Sequence, residues 1–359
     1  MGNSHMESSD QIKIIQYSKE YKERLLSFMS FLWKNAGNEE KRKKFEWRYE
    51  LNPAQMEDYM FLALNNGQIV GFRSFVVQDF ILDQKIIKVL VGADGVVHPD
   101  FRKLGLLKRF NLKSIEVFSS QFERIQGIIL ILSANKIPTI ANQKQGWQKT
   151  TGLKKYAYKI SLLNIFKTLF FKIDQQTCHK RIKHRNLDIE VLTELKEDLL
   201  AAYFIKKRVK NKIVNFRTAK FYRWRYLEEP NLDRYYIYAY KNGEPAGFLI
   251  IERISAKQSL LLEYGADSAM VLSKMLTAAS RYLNICVLRT LYTSKNQETL
   301  MKRSGCFIET DTFLKLIRKE RLPVLVRPNI VEPEDKDFIY DGLDIRDIEN
   351  WILYSADGY

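Results

Sequence analysis

Two stretches of the chain repeat one order of apolar and polar positions. "IKIIQYSKEYKERLLSFMSFLWKN" (Ile12–Asn35) starts with a short apolar run and continues with leucines and aromatics at helical spacing. That order predicts a strand followed by a helix. "LDIEVLTELKEDLLAAYFIKKRV" (Leu187–Val209) reads the same way. Next come "DYMFLALNNGQIVGFRSFVVQDF" (Asp58–Phe80) and "RYYIYAYKNGEPAGFLIIERI" (Arg234–Ile254). Each is an apolar strand, an Asn-Gly pair and a second strand, a strong short-range hairpin signal. Tyr59, Gly67, Gly71 and Phe72 match Tyr235, Gly243, Gly247 and Phe248 at one constant offset, and "VGADGVV" (Val91–Val97) answers "YGADSAM" (Tyr264–Met270). Ahead of each hairpin stands the word Trp-Arg-Tyr, at Trp47-Arg48-Tyr49 and at Trp224-Arg225-Tyr226. Two tandem copies of one α/β unit account for all of this.

The copies then part. From Asp94 to the Gly146-Trp147 pair is 52 residues, and from Asp267 to Gly305-Cys306 is 38, so the first copy holds 14 more. The stretch "VHPDFRKLGLLKRF" (Val97–Phe110) has no visible counterpart in the second. It runs from a strand into a helix beginning near Gly105, with Arg102, Lys103 and Lys108 around the start. Free amides, the positive end of the helix dipole and a glycine that permits close approach make such a turn a ready phosphate site. An ordinary strand–turn–helix with a basic first turn is the alternative.

The same segment resembles motif A of the GCN5-related N-acetyltransferase (GNAT) family, Val-x-Pro-x-Tyr/Phe-Arg/Gln-x-x-Gly-x-Gly/Ala, which cradles the coenzyme A pyrophosphate. Val97, Pro99, Phe101, Arg102, Gly105 and Leu106 match, and Leu107 replaces the usual small residue, as in Eis-like tandem members. "IILILSANKIPTIANQKQGW" (Ile128–Trp147) resembles the family's fifth strand, Asn, fourth helix and Gly-aromatic pair. The resemblance implies an α/β chain of two tandem GNAT (acyl-CoA N-acyltransferase) folds, each a mixed, mostly antiparallel sheet flanked by helices. It covers about Ile12–Ile160 with the cofactor motif intact, and Leu187–Lys319 as scaffold only. It further implies acetyl-CoA as cosubstrate, without a metal. The cofactor would be held by Gly95, Val96 and Val97 on the splayed fourth strand, by Arg102, Lys103, Leu104, Gly105, Leu106, Leu107 and Lys108 in the loop, and by Asn135.

The chemistry implied is acyl transfer to an amine, with backbone amides as an oxyanion site, a base for the amine and an acid for the departing thiolate. Asp94 is the candidate base, against a shared structural role with Asp267. The family's acid is a tyrosine four residues before the Gly-aromatic pair, where this chain has Asn142 and, in the second copy, Met301. Tyr156 and Tyr158 are alternative acids, and a thiolate with pKa near 8–9 can leave without full protonation. Trp47, Arg48 and Tyr49 are either acceptor-pocket residues or scaffold; their presence in both copies favours scaffold.

Composition narrows the field further. At 359 residues, with 46% hydrophobic positions, the chain has ample core for two domains. Three cysteines and four histidines show neither a disulfide framework nor a metal-ligand pattern. A reducing cytoplasm is the expected compartment. A net charge of +16 admits anionic partners, but the basic residues are scattered except between Lys154 and Arg185, and no nucleic acid is expected. No apolar run reaches the length of a transmembrane helix. The opening "MGNSHM" reads as a cloning scar over residues 1–5 with no signal peptide behind it. Expected divisions are then an N-terminal domain at 6–160, a linker at 161–186, a C-terminal domain at 187–325 and a docked tail at 326–359. The linker's apolar, aromatic and basic mixture suits helix packing between domains or, at 161–185, peripheral contact with the inner membrane surface. The expected function is N-acetylation of a small amine such as an amino sugar or amino-acid-like metabolite. Lipid-linked or protein amines, or an acyl-CoA-binding protein without turnover, are the alternatives.

Overall fold

The computed structural model describes residues 11–31, 33, 37–53, 59–122, 127–132, 136–152, 154–170, 179–184, 186–230, 232–309 and 323–357. They form two compact units, Met1–Thr150 with Leu322–Arg346, and Thr151–Arg321 with Asp347–Gly358.

The first unit is built on strands β1 (Lys13–Gln16), β2 (Met60–Asn65), β3 (Gln68–Leu82), β4 (Lys85–Val97), β5 (Gly127–Ile131) and β6 (Gln148–Lys149). They lie in the order β1-β2-β3-β4-β5, then Leu325–Pro328, then β6. β4 and β5 are parallel and the other neighbours antiparallel. The hairpin predicted at Asn66-Gly67 is present, with both residues at positive φ (46° and 78°) as a tight two-residue turn requires. Helices α1 (Lys22–Phe28) and α2 (Asn38–Phe45) bury Leu25, Leu26, Phe28 and Phe45 against Leu62, Phe72 and Val76 on one sheet face. α3 (Leu106–Gln121) buries Leu106, Phe110, Ile115 and Phe118 against Phe75, Val77 and Ile129 on the other. α4 (Lys136–Gln143) follows β5.

The second unit contains β7 (Lys155–Ile160), α5 (Leu162–Phe170), β8 (Lys180–His184), β9 (Leu187–Leu192), α6 (Glu197–Lys206), β10 (Ile213–Asn215) and α7 (Ala219–Tyr226). It continues with β11 (Arg234–Lys241), β12 (Glu244–Arg253), β13 (Gln258–Ala266), α8 (Ala269–Tyr282), β14 (Val287–Tyr292), α9 (Lys295–Arg303) and β15 (Phe307–Ile308). Its sheet order is β15-β7-β14-β13-β12-β11-β9-β8, again with one parallel pair, β13 with β14. β10 pairs in parallel with Trp351–Ile352 from the chain's last segment. The second Asn-Gly turn, Asn242-Gly243, repeats the positive φ values of the first (53° and 86°).

Two boundaries differ from the sequence expectation. β7, expected to end the first copy at residue 160, pairs instead with β14 and β15 of the second unit. Residues 325–328, expected at the junction of the second domain and its tail, form the strand between β5 and β6 of the first unit. Each copy's last stretch therefore fills the same sheet position, beside the parallel pair, in the other unit. Alternation fixes that a strand forms and which face is buried, but not which sheet it joins.

Candidate active site in the first unit

The parallel ladder between β4 and β5 ends at the pair Val91 and Leu130, whereas β4 stays paired with β3 on its other side as far as Val97. Beyond Val91 the two strands part, and a cavity of about 780 Å³ opens at the gap. β4 contributes Gly92, Ala93, Asp94, Gly95, Val96 and Val97 to its wall, and β3 contributes Phe72 and Arg73. Ile131 at the end of β5 and Leu132 just after it line it, as do Pro138, Ala141 and Asn142 from α4. Its other end is lined by Leu106, Leu107 and Phe110 of α3 and by Phe101, Arg102, Lys103 and Gly105.

That end is the loop before α3. Pro99–Phe101 forms a 3₁₀ turn capped by His98. Lys103 and Gly105 both take left-handed φ (69° and 71°), and α3 begins at Leu106. A Cβ on Gly105 would meet nothing within 4 Å, so the glycine answers a backbone demand and leaves open space above the first turn. Among the described residues no side chain caps α3, which leaves its leading amides to a ligand or solvent.

The second copy has α8 in the place of α3, starting two residues after Asp267, with Ser268 accepting the Val271 N–H as cap. The extra stretch of the first copy is thus narrower than the alignment suggests. Leu106–Phe110 belongs to a helix that the second copy also has, and the loop His98–Gly105 is what has no equivalent.

Asp94 is held from behind by the Trp-Arg-Tyr word. α2 runs on into one wide π-helical turn, Glu46–Glu50, a geometry that re-aims side chains. Arg48 Nη1 donates to Asp94 Oδ2 at 2.7 Å, and the Tyr49 hydroxyl donates to the same oxygen at 2.6 Å. β4 bulges at Ala93–Asp94 opposite Ser74 of β3, and Ser74 Oγ meets the Tyr49 hydroxyl at 2.9 Å and accepts the Asp94 N–H at 3.1 Å. Burial, and next the Asp94 charge, raise the Tyr49 pKa well above its ordinary range, so Tyr49 is a fixed donor. Trp47 is buried with the Arg48 guanidinium 5.7 Å over its ring. None of the three lines the cavity; Arg48 and Tyr49 orient a residue that does.

Of the residues assigned to the cofactor from sequence, Gly95, Val96, Val97, Arg102, Lys103, Gly105, Leu106 and Leu107 line the one cavity. Leu104 packs on the core beneath it, and Lys108 is exposed on the first turn of α3. Asn135 lies outside the described residues. Tyr156 and Tyr158 stand on β7 in the second unit's sheet and are not among the lining residues. Asn142, at the place of the family's acidic tyrosine, is buried in the wall, where its Oδ1 accepts from Asn111 Nδ2 at 2.8 Å.

By sequence, no family model and no curated protein matches the chain. Solved structures do. A probable N-acyltransferase from Enterococcus faecalis V583 superposes with a TM-score of 0.65 at 11% identity, over 91% of this chain and 74% of that one. A GCN5-related N-acetyltransferase from Anabaena variabilis gives 0.63 at 11%, over 89% and 73%. A tandem GNAT protein of the clavulanic acid biosynthesis pathway gives 0.51 at 11%, over 90% and 100%. The fold is the tandem GNAT fold. The mixed, helix-flanked sheets expected from sequence are those observed, and the splayed β4–β5 gap of this GNAT fold holds most of the residues that the motif resemblance singled out.

The Trp-Arg-Tyr word serves differently in the second unit. The Tyr226 hydroxyl donates to Glu263 Oε2 at 2.7 Å, four residues before Asp267 on β13. Asp267 instead accepts from the Tyr203 hydroxyl and pairs with Lys207, both at 3.0 Å. Sequence reasoning missed Arg73. Its signal lay in the repeat register, where "GFRSF" faces "GFLII" and places Leu249 opposite Arg73.

Proposed function

We propose that the first unit transfers an acyl group from acyl-coenzyme A, with acetyl-CoA as the expected donor, to the primary amine of a small molecule. The observation that carries this reading is the continuity of one cavity from the uncapped start of α3 to Asp94. A pyrophosphate would take the amides and cations at Arg102–Leu107, since free N–H groups at a helix start favour anions. The pantetheine arm would follow the unpaired edge of β4, and the thioester carbonyl would meet the amides around Gly95–Val97. Asp94 would receive the amine. Arg48 and Tyr49 both engage its Oδ2, which leaves Oδ1 to accept from an incoming ammonium and take up its proton. The second unit, without the loop, would act as scaffold.

Release of free thiol from acetyl-CoA, measured against a panel of amino sugars, amino acids and polyamines, tests the reading. Turnover with at least one amine, abolished in Asp94→Asn, supports it. Coenzyme A binding without thiol release from any amine or acyl donor would favour a binding protein, the outcome that Asn142 in the acid's place makes worth measuring.

A second proposal concerns location. Among the described residues no helix is long and apolar enough to cross a membrane. α5, however, leaves Leu162, Leu163, Phe166 and Leu169 exposed, while its Asn164 is anchored to the Ser280 and Ile285 carbonyls. We propose that this face rests on an anionic bilayer, attracted by the flanking lysines and arginines. Co-sedimentation with phosphatidylserine vesicles, lost in Leu163→Asp/Phe166→Asp, tests this; no sedimentation at low salt rejects it.

A further inference from the structure

Among the described residues, Arg73 is the one charged wall residue of the cavity that the acyl-transfer reading leaves without a task. Its side chain is 8% exposed. Among the described residues its polar contacts reduce to the Asp94 carbonyl oxygen at a marginal 3.5 Å, with the Phe75 ring 4.6 Å away. The Asp94 carboxylate turns instead to Arg48 and Tyr49. Nε has no hydrogen-bond partner among the described residues, and burial, only partly opposed by the Asp94 charge, pulls the guanidinium down to about 10, which still leaves it charged at neutral pH. A buried cation without a paired carboxylate is costly, so its retention calls for an anion that arrives.

The repeat supplies an internal control. The second copy keeps the sheet, both turns, the Trp-Arg-Tyr word and the parting of its parallel pair, yet has buried Leu249 at this position and no loop before α8. The scaffold therefore does not need the arginine. Room for it is made by two glycines: a Cβ on Gly92 or on Gly95 would lie 2.8 Å from an Arg73 terminal nitrogen. Position 95 of the first copy corresponds to Ser268 in the second. The cation, a glycine that admits it and the cofactor loop occur together in one copy.

We infer that Arg73 stabilises the negative charge that collects on the coenzyme A sulfur as the thioester breaks, in place of the acid missing at Asn142. This rests on the acyl-transfer reading. The amine nitrogen attacks the thioester carbon and forms the C–N bond, while the carbonyl π pair moves to oxygen. On collapse the C–S bond breaks and its electron pair leaves on sulfur. The amine proton departs through Asp94 to solvent, and the thiolate, held by N–H groups of Arg73, is protonated from solvent after release. A guanidinium gives up no proton here, so its part is electrostatic. Among the described residues, the other charged groups on the wall are Asp94, which opposes thiolate formation but is neutralised by Arg48, and Arg102 and Lys103 in the loop at the cavity's other end.

The test needs no acceptor. The thiol of coenzyme A bound to the full chain is titrated by thiolate ultraviolet absorbance in the wild type, Arg73→Met and Arg73→Lys, with binding followed by calorimetry on the same samples. The expected result is a bound thiol about one pKa unit or more below free coenzyme A in the wild type. In Arg73→Met the shift disappears with affinity kept within about threefold, and in Arg73→Lys part of it returns. A wild-type thiol titrating like free coenzyme A, or one depressed equally in Arg73→Met, overturns the role of Arg73. Absence of coenzyme A binding by the wild type overturns the underlying reading, and calorimetry separates that failure from the first.

Discussion

The Tyr49 hydroxyl donates to Asp94 Oδ2 at 2.6 Å, while its counterpart Tyr226 donates to Glu263 at 2.7 Å. One word of sequence thus orients a cavity carboxylate in the first unit and a wholly buried one in the second. Both Tyr49→Phe and Tyr226→Phe remove a buried hydrogen bond to a carboxylate, and each is expected to lower stability by about 1–3 kcal/mol in urea denaturation. Only Tyr49→Phe is expected to lower acyl transfer as well, because only Asp94 faces the cavity. Equal losses of kcat in the two variants would contradict the assignment of the site to the first unit.

Gly105 sits at φ 71° with open space beyond it. Gly105→Ala should cost about 1–2 kcal/mol of backbone strain and leave coenzyme A binding within a few fold. Gly105→Glu carries the same strain but sets a carboxylate over the first turn of α3, where an anion is expected to bind. Calorimetry should show a loss of affinity of at least a hundredfold for Gly105→Glu, with melting temperatures of the two variants alike. Matching affinities would remove the loop from the cofactor site.

The duplication, both hairpin turns and the loop before α3 were legible because each is a local event. Asn66-Gly67 and Asn242-Gly243 specify their own turns, and Gly105 marks a backbone position that favours glycine. The strand exchange was not legible. Residues 155–160 and 325–328 are ordinary strand sequences, and their choice of sheet depends on packing far along the chain. Asp94 could be chosen from sequence, but its partners could not. Arg48 and Tyr49 lie 46 and 45 residues away, and their recurrence beside a different carboxylate in the second copy made them look like scaffold alone. Arg73 was hidden for the opposite reason, since an arginine inside an apolar strand looks like an outward-facing residue, although alternation puts it on the face of β3 that carries the core residues Phe75 and Val77.

Cys306 gives a test by pH. Burial pushes its thiol up to about 11 from an ordinary value near 9, and the Lys159 charge only partly opposes this. The thiolate is the nucleophile, so at pH 8 about one part in a thousand of this side chain is reactive. Alkylation of Cys306, followed by peptide mass spectrometry, should accelerate about tenfold per pH unit up to pH 11. The folded state also binds more protons than the unfolded state between pH 9 and 11, so this thiol's contribution to stability falls as pH rises through that window. Rapid labelling of Cys306 at pH 7.5 in folded protein would refute the burial.

Arg73 and Arg217 are both buried arginines, yet they should respond oppositely to removal. Arg217 lies between Glu263 (3.1 Å) and Asp357 (2.7 Å), all three at 0–1% side-chain exposure, and Tyr222 and Tyr226 also donate to Glu263. Burial opposes its charge, but the two carboxylates outweigh that and raise its pKa well above the ordinary value. Arg217→Met leaves two carboxylates buried without their cation, a loss of about 3–5 kcal/mol. Arg73 has no carboxylate partner among the described residues, so Arg73→Met removes a desolvation cost and strands nothing. Its stability should stay within about 1 kcal/mol of wild type or rise, since apolar replacement of a buried charge is often neutral or stabilising. Urea midpoints measured side by side decide the matter. A large loss on Arg73→Met would show that the arginine is held by contacts within the fold, and its charge would then need no ligand to explain it.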